Sequence, residues 1–251
     1  MGYYNFYFSP TGGTKKVADA VAEGWGESFT PVDLVKEAEQ KQFRAEDVCL
    51  VAVPSYGGRV PAPAVSQLRK LSGNGARAVL IAVFGNRAID DTLAELMDEL
   101  NKAGFKCIAG MEAVAQHSLI PKYGAGRPDE ADVAELKDFA QKIRDVMEKN
   151  ILSDPLKLPG NRPYRDYNGV PLKPTATDAC TGCGLCAAEC PVNAIPMSDF
   201  KVTDSTRCIS CMHCVAICPQ HARKLSKLMT FVASHKMKKS CSGRKENKLY
   251  L

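Results

Sequence analysis

Eight cysteines carry the clearest chemistry in this sequence. Cys180, Cys183, Cys186 and Cys190 are followed by Pro191, and Cys208, Cys211, Cys214 and Cys218 by Pro219. Each run reads C-x2-C-x2-C-x3-C-P, an established iron–sulfur spacing in which the fourth cysteine ligates the other of two clusters. Three thiolates at three-residue intervals can wrap three irons of one cubane, and the proline stops the local coil so that the fourth projects away. The expected pairing is therefore crossed. Cys180, Cys183, Cys186 and Cys218 hold one [4Fe–4S] cluster, and Cys208, Cys211, Cys214 and Cys190 hold the other. A structural zinc site asks for two close cysteine pairs separated by a dozen or more residues. A disulfide framework needs an oxidising compartment, to which nothing here points.

The two runs are offset by a constant 28 residues, from Cys180 to Cys208 and from Cys190 to Cys218. Such self-similarity indicates a duplicated cluster-binding unit with pseudo-two-fold symmetry. On these motifs, residues 175–225 resemble the bacterial two-cluster ferredoxins, which implies a small α+β fold.

A second chemical feature lies at the other end of the chain. Ser9, Pro10, Thr11, Gly12, Gly13 and Thr14 lead from an apolar run directly into a helical stretch. A phosphate there would meet unpaired backbone N–H groups and the positive end of the helix dipole. The hydroxyls of Ser9, Thr11 and Thr14 add donors, and Gly12 and Gly13 allow close backbone approach. A plain helix cap would use the same residue types. Position favours the phosphate, because two further loops sit at strand C-terminal ends, where such sheets bind ligands. These are Pro54, Ser55, Tyr56, Gly57, Gly58 and Arg59 after one strand, and Gly85, Asn86 and Arg87 after Phe84, the end of the next.

The elements that position these loops can be read from hydropathy. YYNFYF (3–8), VCLVAV (48–53) and AVLIAVF (78–84) are continuously apolar, as expected of parallel strands buried on both faces. Residues 29–34 are a weaker strand and 106–116 a fifth. Helical faces fall between them, with Leu93, Leu96, Met97 and Leu100 in 90–103. Val133, Leu136, Ala140, Ile143 and Met147 do the same in 129–149. Alternation of strand and helix implies a five-stranded, doubly wound parallel sheet, an α/β fold. Five strands fit the flavodoxin order better than the six-stranded dinucleotide-binding one.

With its phosphate loop and the two later loops, the segment from about residue 3 to 149 resembles flavodoxin. That resemblance implies flavin mononucleotide (FMN), with residues 9–14 gripping the phosphate and Tyr56 stacking on the ring. Gly57, Gly58, Gly85 and Asn86 then offer backbone contacts. The Gly85 loop supplies no second aromatic, so the other ring face is open or covered from elsewhere. Several features carry blander readings. The G-x-G-x-x-A match at 73–78 precedes a strand and is a turn. Trp25 packs, and His117 is structural rather than catalytic. Arg59 and Arg87 either balance flavin charge or lie solvated.

Composition sets the frame. In 251 residues there is room for two ordinary domains. The expected division is 1–150, a proline-rich linker at 151–174, the cluster unit at 175–225 and a basic tail at 226–251. Five of the fifteen prolines fall in the linker, which makes it extended and semi-rigid. Residues 223–248 carry nine lysines or arginines against Glu246 alone, a net of +8; since the whole chain is +5, the remainder is −3. Without a recognition module or aromatic platform, this basic tail is not read as a nucleic-acid site. Leu225, Leu228, Met229 and Val232 suggest a helix over 224–232 that docks on one of the domains, in preference to a membrane-surface helix. There is no signal-peptide pattern and no apolar stretch long enough to span a bilayer, so the expected location is cytoplasmic. Cys49 and Cys107 read as inert core thiols, and Cys241 has no evident role.

As a whole the chain resembles the flavodoxin–ferredoxin fusions of anaerobic prokaryotes. That implies FMN, two [4Fe–4S] clusters and electron transfer between a protein donor and a protein acceptor. Two other readings stay open: an FMN-dependent reductase of a small molecule such as a quinone or oxygen, and a redox sensor acting through its basic tail.

Overall fold

Three strand runs (3–8, 48–53 and 78–84) that are apolar but for Asn5 call for burial on both faces, and the architecture follows from that. The computed structural model describes residues 1–36, 41–153 and 155–251; residue 154 of the linker lies outside these. The first domain runs β1 (Tyr3–Tyr7), α1 (Gly13–Trp25), β2 (Thr30–Asp33), β3 (Val48–Pro54), α2 (Ala62–Leu68), β4 (Arg77–Phe84), α3 (Thr92–Lys102), β5 (Lys106–Val114) and α4 (Glu130–Glu148). Its parallel strands stand in the order β2-β1-β3-β4-β5, the flavodoxin-type order.

The sheet carries one core on each face. Leu68, Leu93, Leu96 and Leu100 of α2 and α3 cover Phe6, Val51, Leu80 and Ala82. On the opposite face Val17, Val21 and Trp25 of α1, with Leu136, Ala140 and Ile143 of α4, cover Tyr7, Leu50, Val79 and Ile81. Alternate residues of the same strand enter opposite cores, as the period of two demands. Each fully buried Leu or Ile contributes about 1.5–3 kcal/mol, so the fold does not depend on any one of them. Trp25 is 1% exposed and belongs to this packing.

The cluster unit is small. β6 (Thr175–Ala176) pairs antiparallel with β7 (Arg223–Lys224), and two single-turn helices, α5 (Leu185–Ala188) and α6 (His213–Ala216), sit inside the cysteine runs. The helices keep the 28-residue offset of the cysteines.

The largest departure from sequence expectation is at the C-terminus. The expected helix over 224–232 forms instead as α7 (Lys227–Cys241), because the Ser226 side chain accepts the N–H of Met229 and starts it there. Beyond it, β8 (Lys248–Tyr250) joins the first domain's sheet antiparallel to β5, making six strands. The returning chain fills buried needs of the first domain. Asn247 Oδ1 accepts the N–H of Val114 at 2.9 Å. The phenol of Tyr250 donates to Glu112, a buried carboxylate on β5 that also pairs with Lys248. Arg127, paired with the buried Asp132, donates to the carbonyl of Lys245. Cys241 is no surface thiol; it is 2% exposed, packed with Ile120 and Tyr123.

The linker is a strap lying on the first domain. Asn161 donates its backbone N–H and its Nδ2 to Asp91 Oδ1 at 2.7 and 3.0 Å, and the N–H of Arg165 reaches Asp91 Oδ2 at 2.7 Å. Arg162 forms a two-pronged pair with Asp98. Leu158 packs against the α2–α3 core.

Candidate functional site

In a doubly wound sheet the loops beyond the strand C-termini meet at the point where strand order reverses, between β1 and β3 here. A cavity of about 740 Å³ opens at that point. Its walls come from the loops after β1, β3, β4 and β5, from the strap, from the second cysteine run and from α7.

The β1 loop forms one end. Gly12 sits at a left-handed φ of 87° as the N-cap of α1, and its side-chain position faces open space. Ser9 Oγ accepts the N–H of Lys15 at 2.8 Å and Ser9 O that of Gly12 at 3.3 Å. The amides of Thr11, Gly13 and Thr14 have no protein acceptor among the described residues, and Pro10, Thr11, Gly13 and Thr14 line the cavity. Free N–H groups at the head of a 13-residue helix are suited to a phosphate.

The expected site residues divide between wall and support. Pro54, Ser55, Tyr56, Gly57, Phe84, Gly85 and Arg87 line the cavity. Ser9, Gly12, Gly58 and Asn86 do not. Ser9 caps α1 as above. Gly58 is closely covered by Asp90 and Arg165. Asn86 Nδ2 donates to the carbonyls of Cys241 and Gly243, at 2.7 and 2.8 Å, and so ties down the C-terminal segment. Arg59 faces away, gripping Glu95 through two contacts of 2.8 Å, whereas Arg87 lines the cavity while paired to Asp90.

Sequence reasoning missed several wall residues. Tyr167 of the strap lies against Gly57, where any Cβ would fall 2.1 Å from its ring. It joins Tyr56 and Phe84 as an aromatic wall residue, and its signal was a tyrosine in an otherwise proline-rich stretch. Burial, then the proximity of Cys211 and Tyr167, holds the Tyr56 phenol well above the ordinary tyrosine range. Leu228, Met229, Val232 and Met237 of α7 form an apolar roof. Ser210, on the second cysteine run, also lines the cavity, and its buried hydroxyl has no partner among the described residues.

His117 lines the cavity too. Its Nδ1 accepts the N–H groups of Leu119 and Ile120 at 3.2 and 3.3 Å, so in the neutral ring the proton sits on Nε2. Burial, with the Arg87 guanidinium near, pushes this imidazole from 6.5 down to about 4. On acidification the unfolded chain therefore binds a proton first, and stability falls as pH drops through the window from 6.5 towards 4. Thermal unfolding of the wild type at pH 7 and pH 5 is expected to show a loss of roughly 2 kcal/mol from this residue, absent in His117→Gln. Equal losses in both proteins would mean that His117 titrates normally.

The eight run cysteines are gathered in two sets. Cys180, Cys183, Cys186 and Cys218 surround one small cavity, and Cys190, Cys208, Cys211 and Cys214 another. Among the described residues no three Cys, His, Asp or Glu side chains converge closely enough to bind a single ion. Four thiols around each cavity match the number of thiolates that a [4Fe–4S] cubane takes. Backbone N–H groups point at the sulfurs: Ala194 to Cys190 and Ala222 to Cys218 at 3.3 Å, and Ser210 to Cys208 at 3.4 Å. Cys49 and Cys107 line neither of these cavities, and burial pushes both thiols up, Cys107 to about 12.

The second set abuts the larger cavity. Ile209 and Ser210, between Cys208 and Cys211, form part of its wall. His213 Nδ1 lies 2.8 Å from the carbonyl of Pro10 in the β1 loop, and Lys173 donates to the carbonyl of Cys208.

A family model described as flavodoxin matches residues 6–111, and one described as a 4Fe-4S dicluster domain matches residues 179–223. The chain joins a flavodoxin domain to a 4Fe–4S ferredoxin domain. Similar solved structures include oxidised flavodoxin 1 from Bacillus cereus, 14% identical with a TM-score of 0.42, covering 58% of this chain and 98% of that one. Flavodoxin 2 from the same organism is 14% identical with a TM-score of 0.43, covering 58% and 99%. Rubredoxin oxygen:oxidoreductase from Desulfovibrio gigas is 18% identical with a TM-score of 0.43; the match covers 60% of this chain and 38% of that one. No curated protein matches the chain. The flavodoxin domain implies FMN and the ferredoxin domain implies iron–sulfur clusters, so this is a flavin and iron–sulfur redox protein of the electron-transfer kind. The residues present fit both groups: unpaired amides and two tyrosines for FMN, and thiols with N–H donors aimed at them for clusters. No helix among the described residues is long and apolar enough to cross a membrane.

Proposed function

We propose that this flavodoxin–ferredoxin chain carries two [4Fe–4S] clusters in crossed ligation and one FMN, and passes electrons between them. The observation that carries this reading is the shared wall: Ile209 and Ser210, flanked by two cysteines of the second set, line the cavity that the phosphate loop closes. When bound, each cluster exchanges one electron and FMN one or two, so the pair can link single-electron carriers to two-electron chemistry.

The residues supply position. Thr11, Gly13 and Thr14 hold the phosphate end through backbone N–H groups, and Tyr56 and Tyr167 flank the ring end. His213, through the Pro10 carbonyl, and Lys173, through the Cys208 carbonyl, hold the second cysteine set against the cavity. The first set lies further out, with Cys183 exposed beside the exposed Leu185. This supports a protein redox partner that meets the first cluster, and the need to keep eight thiolates unoxidised supports a cytoplasmic location.

The apolar roof of α7 favours a second reading for the far end of the route. A helix over the cavity hinders a protein acceptor but not a small one, which suits a reductase of a small molecule such as a quinone or oxygen.

The deciding experiment is an anaerobic redox titration of purified full-length protein, followed by visible and paramagnetic-resonance spectra, with iron and flavin quantified. About eight irons and one FMN per chain are expected, and rapid mixing with a reduced one-electron donor should bleach clusters before flavin. Flavin reduced at full rate in protein stripped of iron would rule out the intramolecular route. Saturable turnover of an added quinone would select the reductase reading over the carrier.

A further inference from the structure

Arg223 is 2% exposed and lies between the two cysteine sets. β7 places it there, paired across to Ala176. Its Nη1 donates to the carbonyl of Phe200 at 2.7 Å and reaches Cys186 Sγ at 3.9 Å. Its Nη2 donates to the carbonyl of Pro174 at 2.9 Å and to Thr203 Oγ1. The strand that carries it, β7, also packs against α6, the helix that carries Cys214 of the other set. Its Nε is buried and has no partner among the described residues.

Every oxygen it meets is neutral. Among the described residues no carboxylate pairs with it. A buried cation without an anion is among the costliest arrangements a protein can hold. Arginine does not escape by losing its proton. Among the described residues the anions within its reach are thiolates: Cys186 of one set, and Cys214 on the α6 helix that packs against β7. Fully thiolate-ligated [4Fe–4S] clusters are net negative, and one-electron reduction adds a further negative charge. A fixed cation then stabilises the reduced form more than the oxidised form, by Coulomb attraction in a poorly screened interior.

We propose that Arg223 is the internal counter-charge shared by both iron–sulfur clusters, raising the reduction potential of each. The proposal rests on the two-cluster reading above. It makes Arg223 a positioning and tuning residue rather than a ligand. It also accounts for the orphaned Nε, since a charge can be balanced by a nearby anion without every N–H finding an acceptor.

The test compares Arg223→Gln, which removes the charge, with Arg223→Lys, which keeps it. Full-length protein is titrated anaerobically, each cluster is followed by paramagnetic resonance, and iron is quantified. In Arg223→Gln the reduction equilibrium of both clusters should shift towards the oxidised form by tenfold or more, which is about 59 mV each for one electron. Arg223→Lys should shift them by less than tenfold. A smaller shift than tenfold in Arg223→Gln on either cluster, or equal shifts in the two variants, would overturn the proposal. Should Arg223→Gln fail to retain iron, Arg223→Lys decides: full iron there supports a requirement for charge. Loss of iron in both variants overturns it, because the guanidinium's fit to the Phe200 and Pro174 carbonyls would then be what matters. A wild type holding only about four irons would instead refute the two-cluster reading, independently of either variant.

Discussion

Cys190→Ser is expected to destroy the cluster shared with Cys208, Cys211 and Cys214 while sparing the one nearest to it in sequence. Cys190 follows α5, and its Sγ turns away from Cys186 to accept the N–H of Ala194 in the cavity of the other set. Serine is a much poorer iron ligand than a thiolate, so iron should fall to about half of the wild-type content. The effect on function should be larger than the loss of iron suggests. The lost cluster belongs to the set whose Ile209 and Ser210 wall the flavin cavity, so the remaining one is left without its relay. Flavin reduction by a one-electron donor should then collapse although FMN stays bound. Cys218→Ser is the mirror experiment, removing the outer cluster and leaving the inner one. Resonance spectra in which Cys190→Ser loses the signal of the Cys180, Cys183 and Cys186 cluster would refute crossed ligation.

Asp91→Ala is expected to detach the strap and uncouple the two domains with both cofactors still present. Asp91 is 1% exposed and receives three hydrogen bonds from the strap, two of them from backbone amides. Burial works against its charge, but the hydrogen bonds from Arg165 and Asn161 prevail and hold its carboxyl below the usual range. Removing it leaves the amides of Asn161 and Arg165 unpaired, which costs on the order of 2–5 kcal/mol of docking free energy. Tyr167 lies in the same strap, two residues beyond Arg165, so the cavity would lose an aromatic wall as well. Expected results are faster proteolysis within residues 155–174 and slower flavin reduction from the clusters, with iron content unchanged. The pH dependence follows from the direction of the shift. Docking due to this carboxyl is fully present above 3.8, the ordinary aspartate value, and fades below it as the folded carboxyl takes up its proton. A variant as protease-resistant as the wild type, with unaltered flavin reduction, would show that the strap is held by Arg162 and Asp98 without Asp91.

Much of the chemistry was legible locally. The spacing of the thiols is a property of consecutive residues, so both cysteine sets and their crossed assignment could be written down before any coordinates. The phosphate loop was equally local, since Thr11, Gly13 and Thr14 belong to the turn that starts α1. The other expected flavin contacts were legible only through their position at strand ends. The side chain of Asn86 shows the limit: nothing around it in sequence announces that Cys241 and Gly243, more than 150 residues away, would take it. The cover over Gly58 was hidden for the same reason, because Asp90 and Arg165 reach it from elsewhere in the chain.

Hydropathy pattern and residue spacing, which act within a few residues, determined from sequence alone that this chain has a doubly wound sheet, a phosphate-type loop and two runs of cluster-forming thiols. Tertiary structure alone decided which thiol set faces the cavity, that Tyr167 and α7 complete its walls, that β8 returns to the first sheet, and that Arg223 ends up between the two sets. These depend on contacts between residues tens to hundreds of positions apart, where free energies of docking and burial, invisible in local pattern, make the choice.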